Sequence, residues 1–148
     1  MQSRHEFVND VRLREARLSV FRRDELLQCT NARYAGGAKL FANLDAYRAR
    51  VLILEGYLDG GDRVLHDAPR AESLVRFVER WHRGATLSGY AARWRKGTGA
   101  VKITGLHLAL YCISPSECDQ AAWEFQVLSE GCDELLVRDD CLNAWWDQ

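Results

Sequence analysis

Residues 80–103 read RWHRGATLSGYAARWRKGTGAVKI, and the fold turns on whether this stretch is two helices or a helix running into a strand. A DNA-reading helix-turn-helix needs two helices and a tight turn, the second helix offering side chains to the major groove. The first half fits. GATLSGYAARW at 84–94 suits a short helix capped by Thr86, with Leu87, Tyr90, Ala91 and Trp94 as its packing side. The second half does not. KGTGAVKITG carries Gly97, Gly99 and Gly105, each costing ~1 kcal/mol against Ala inside a helix, and Val101, Ile103 and Thr104 favour extended backbone. The stretch therefore reads as a short helix, a KGTG turn and a buried strand through AVKITGLHLALYCIS at 100–114.

Working outward, HDAPRAESLVRFVERWHRG at 66–84 carries its own start and stop signals: Asp67 as a cap, Pro69 in the first turn and Gly84 at the end. Its buried face is Leu74, Phe77, Val78 and Trp81. Upstream, Leu40, Leu44, Tyr47, Val51, Leu54 and Leu58 recur at alternating spacings of four and three, which predicts one long helix closed by LDGGD at 58–62. Phe7, Val8, Val11, Leu18, Phe21 and Leu26 predict an amphipathic helix or two before the CTNARYAGG break at 29–37. Downstream, SPSECDQAAWEFQVLSEG at 114–131 reads as a helix. ELLV at 134–137 reads as a short strand able to pair with 101–112.

These elements predict one α+β domain over 1–148. It would be helix-rich, with four to six helices and a small antiparallel sheet of two to three strands in the C-terminal half. Length agrees, since 148 residues can bury roughly two-thirds of the unfolded surface. No apolar run approaches the ~20 residues of a membrane span, and the polar MQSRHEFVND start carries no secretory signal. A cytoplasmic protein without membrane association is expected. Its five cysteines, with no C-x-x-C among them, are expected to be reduced thiols.

Chemistry-bearing motifs are sparse. No phosphate-binding loop is present, because GGDRV and GTGAV lack the spacing. His107 and Cys112 would point to opposite faces of a strand. Ser88 lacks the strand-to-helix elbow of hydrolases, and His107 reads as a hydrogen-bonded core histidine. No cofactor, metal or catalytic residue is assigned. The strongest pattern is charge: residues 63–102 hold nine Lys/Arg against three Asp/Glu, and 115–148 hold one Arg against nine Asp/Glu. Such sorting suits recognition by electrostatic complementarity.

The expected function is that of a non-enzymatic interaction protein, a small bacterial- or phage-type regulator or inhibitor docking on a larger protein or nucleoprotein partner. Its basic surface (76–102) would use Arg76, Arg80, Arg83, Arg93, Arg95 and Lys96. Its acidic surface (117–147) would use Glu130, Asp133, Glu134, Asp139, Asp140 and Trp146. Trp81, Trp94 and Trp123 read as core anchors. Trp145 and Trp146 would point ~100° apart on a helix, leaving one outside for a partner.

Two alternatives belong to other classes. The basic 76–102 region can bind nucleic acid directly, with salt-dependent affinity. The chain can also be a small enzyme, in one form metal-dependent at Asp59, Asp62, His66 and Asp67. In the other form, DELLVRD at 133–139 resembles the glutamate-bearing strand of ADP-ribosyltransferases, a resemblance that would make Glu134 catalytic; the family's NAD-anchoring strand has no counterpart in the sequence.

Overall fold

A computed structural model of the chain describes residues 18–29, 37–93 and 101–146. Within them, four α-helices cover one face of a five-stranded antiparallel sheet. Helix α1 (Val20–Leu27) starts at Ser19, whose hydroxyl accepts the Arg22 N–H at 3.0 Å. Strand β1 (Ala38–Leu44) follows, then helix α2 (Ala46–Glu55) and helix α3 (Ala71–Arg80). Strands β2 (Ala85–Ala92) and β3 (Val101–Ala109) lead through two short 3-10 turns to helix α4 (Cys118–Leu128). A hairpin of β4 (Glu134–Val137) and β5 (Cys141–Trp145) completes the described chain.

The strand order is β1-β2-β3-β5-β4, so β5 lies between β3 and the strand that precedes it in sequence. Leu87, Ala91, Ile103, Leu106, Leu108, Leu142 and Ala144 line the inner face. Against them pack Leu27, Leu52, Leu74, Val78 and Phe125 from the helices.

This sheet corrects the expected two to three strands, and it starts at residue 38 rather than in the C-terminal half. Three misread segments account for the difference, one of them Cys141–Trp145, which is strand β5 and not the helix on which Trp145 and Trp146 were expected. The Leu40–Leu58 periodicity crosses a real boundary at Asp45, whose carboxylate accepts the Arg48 N–H at 2.9 Å and starts α2. Before that cap, Phe41 and Leu44 turn inward as strand residues while Leu40 is exposed. In 85–92 the inward positions are Ala85, Leu87, Gly89 and Ala91. Mostly small residues make a weak alternation, which fits a helical stripe equally well. Pairing with β3 on one side and β1 on the other decides for the strand. The Thr86-capped helix, and the helix-turn-helix with it, is therefore absent. ELLV pairs with β5 rather than with 101–112.

Helix α3 is shorter than the 66–84 signals imply. It starts after Arg70 without a side-chain cap, so Asp67 does not serve as one. The predicted helix over 7–17 lies outside the described residues.

Buried charge fastens α1 to the sheet. Arg23 is 0% exposed; its Nε donates to Asp24 Oδ1 at 3.0 Å and its Nη1 to the Ala92 carbonyl at 2.7 Å. Lys39 of β1 donates to the other Asp24 oxygen at 2.7 Å. A second cluster joins α2 to α3, where Arg50 reaches Glu72 at 2.9 Å and Glu79 at 2.6 Å. The Arg50 hydrogen bonds hold the Glu72 carboxyl below its ordinary range. Glu72 also contacts Arg76, four positions along α3, at 3.1 Å.

Candidate functional site

Between α3 and α4 runs a groove of about 1010 Å³. Phe77 and Phe125 meet edge to face below it, with ring centroids 6.0 Å apart. The α4 bank presents Trp123, 60% exposed, and Val127, 53% exposed. Arg63, Arg76 and Arg80 stand along one side, with Glu124 and Glu130 along the other. The basic and acidic stretches of the sequence therefore face one another here, and at one point they touch: Arg80 Nη1 lies 2.9 Å from Glu124 Oε1. Arg80 also stacks 5.1 Å above the Trp81 ring.

The other expected contact residues are dispersed. Arg83 is exposed just beyond α3, beside a smaller recess shared with His82, Ser114 and Glu117. Arg93 is exposed past the far end of β2, its N–H bonded to the Gly37 carbonyl. The length of β2 separates the two, about 25 Å at ~3.3 Å per residue, so Arg83 and Arg93 do not share a patch. Arg95 and Lys96 lie outside the described residues. Glu134 opens β4, Asp133 precedes it, and Asp139 and Asp140 form the β4–β5 turn, all four exposed. Trp146 is 1% exposed, so it is a core residue and not a contact. Trp123, expected inside, is exposed to solvent.

In the 59–67 loop, Asp59 accepts the Gly61 N–H at 2.9 Å and Asp62 pairs with Lys102. No cluster of three or more His, Cys, Asp or Glu suited to a metal ion occurs among the described residues. No helix among them is long and apolar enough to cross a membrane.

The sheet face turned away from the helices carries a polar chain across three strands. His107 of β3 has Nε2 at 2.8 Å from Ser88 Oγ on β2, and Nδ1 at 2.7 Å from Asn143 Oδ1 on β5. The Asn143 Nδ2 donates to Cys141 Sγ at 3.7 Å, which turns its oxygen toward the imidazole. Nδ1 therefore carries the proton, and Nε2 accepts from the Ser88 hydroxyl. Burial pushes the imidazole below its ordinary pKa, opposed by the Asn143 bond. Gly105 is the cross-strand neighbour of Ser88, and a Cβ there would collide with Ser88 Oγ.

No protein-family model, curated protein or solved structure matches this chain. The function must be argued from its own geometry.

Sequence reasoning missed the polar chain because its members lie 19 and 36 positions apart and meet only through the strand order. A usable signal was present. With 101–109 extended, His107 has the same parity as Lys102 displaced by one bulge residue, which turns it away from Leu106 and Leu108.

Proposed function

We propose that this protein is a docking module that receives an amphipathic helix of a protein partner in the α3–α4 groove. The observation that carries the reading is the exposed Trp123 and Val127 set between oppositely charged banks. An apolar groove between two helices accepts an amphipathic helix by its i, i+3, i+4 and i+7 side chains. Exposed tryptophan is the residue type that most often dominates such contacts. The banks set direction: acidic residues of the occupant favour the side of Arg63 and Arg76, and basic ones favour Glu130.

The test is affinity capture from the native host after nuclease treatment, comparing the wild-type protein with Trp123→Ala, Arg76→Glu and Arg93→Glu. The first two change exposed side chains at the groove, and the third is a distant control. A protein captured by wild type and Arg93→Glu, yet lost with Trp123→Ala and weakened with Arg76→Glu, supports the reading. Capture indifferent to Trp123 and Arg76, or abolished by nuclease, removes it.

A second reading has one observation of its own, the Ser88–His107–Asn143 chain. A serine bonded to a neutral imidazole, itself oriented by a third group, is the arrangement of an activated nucleophile. With a fluorophosphonate probe, Ser88 Oγ would bond to phosphorus as its proton passes to His107 Nε2 and fluoride leaves. Intact-mass analysis should show one adduct, absent from Ser88→Ala and His107→Ala. An unmodified wild-type protein ends this reading.

A further inference from the structure

Strand β4 has β5 on one side, and no other strand of the described residues covers its opposite edge. All four of its residues are exposed: Glu134, Leu135, Leu136 and Val137. Three consecutive aliphatic side chains on an open edge are a template for another strand, and the sequence around them specifies which one.

The backbone shows what the edge offers. The Arg138 N–H donates to the Cys141 carbonyl, closing the hairpin, and the register pairs Leu136 with Asn143 and Val137 with Leu142. Hydrogen-bonded and non-bonded pairs alternate in an antiparallel ladder. Residues 134, 136 and 138 therefore turn their amide groups toward β5, while Leu135 and Val137 turn theirs to the free edge.

We infer that β4 pairs antiparallel with β4 of a second copy of this chain, about a two-fold axis at Leu136, joining two five-stranded sheets into one. This centring sets Leu135 opposite Val137 twice, through about four hydrogen bonds from the outward amide groups. It sets Leu136 opposite Leu136 and Glu134 opposite Arg138 on both sides of the axis. No ion-pair partner for Glu134 or Arg138 occurs among the described residues. Moving the axis by one residue loses the match: Leu135 centring places Glu134 against Leu136, and Val137 centring places Leu136 against Arg138. Leu135 and Val137 also share the sheet face of Ala144 and Leu142, so the join extends the inner apolar layer across the axis. Asp133 and Asp139 face each other at the ends and oppose the pairing, which makes the association reversible rather than obligate. The inference uses β4 alone and is independent of the groove reading.

The test is sedimentation equilibrium of the purified chain across a concentration series. Wild type should show a monomer–dimer equilibrium. Glu134→Arg alone and Arg138→Glu alone each place like charges in both cross-strand pairs and should weaken the dimer by roughly fivefold to thirtyfold. The double variant restores opposite charges and should return the constant toward wild type. Val137→Pro removes an outward N–H while sparing the bonds to β5, and should yield folded monomer by circular dichroism. A wild-type monomer at every concentration overturns the inference. So does a dimer that both single reversals leave unchanged, or one that the double variant fails to restore.

Discussion

On the sheet, His107 is held between a hydroxyl and an amide, with the Trp145 ring edge-on at 5.6 Å. Burial disfavours its charged form, so its folded pKa lies below the ordinary 6.5 while the unfolded chain keeps that value. The unfolded state then binds more protons below that pH. The stability tied to this residue is present above pH 6.5 and drains away as pH falls toward the depressed folded value. Thermal melts from pH 8 down to about 5 should show this decline, and His107→Gln should flatten it; an unaltered slope would show that other groups carry the acid sensitivity. The tryptophans are a second lesson at this scale. Both Trp123 and Trp146 lie in segments rich in apolar and acidic residues, and composition cannot rank them. Trp146 is buried, and its backbone N–H donates to the Thr104 carbonyl, continuing the pairing with β3 past the end of β5. That contact spans 42 positions, beyond any local pattern.

Among the elements, α1 is tied to the sheet through one carboxylate, that of Asp24. Asp24 accepts from both Arg23 and Lys39, and all three side chains lie largely out of water. Removing it leaves two cations without their common partner, and breaking such a buried pair costs about 3–5 kcal/mol. Denaturant unfolding of Asp24→Ala should register a loss of that size. Glu25→Ala, one position along on the exposed face of the helix, should stay within about 0.5 kcal/mol. Element types were legible where one period dominated. The apolar stripe of α3, the run of β3 and the body of α4 all stand where the spacing predicts. They failed to show where small residues blurred the period, as in β2, or where a helical spacing continued across a cap, as at Asp45.

For the molecule as a whole, the sorting of charge was legible and its geometry was not. The acidic and basic stretches meet at the groove through Arg80 and Glu124, yet Asp139 and Asp140 sit in the β4–β5 turn and Arg93 beyond the end of β2, none of them lining it. Strand order has a further consequence, one of local opening. Among the described residues, β5 is the strand that joins β4 to the rest of the sheet. A fluctuation that lifts β5 from β3 therefore carries β4 with it, and one that parts β4 from β5 bares both edges of the Leu-Leu-Val segment. Crowding many copies of the chain together at such moments brings like segments within reach of one another.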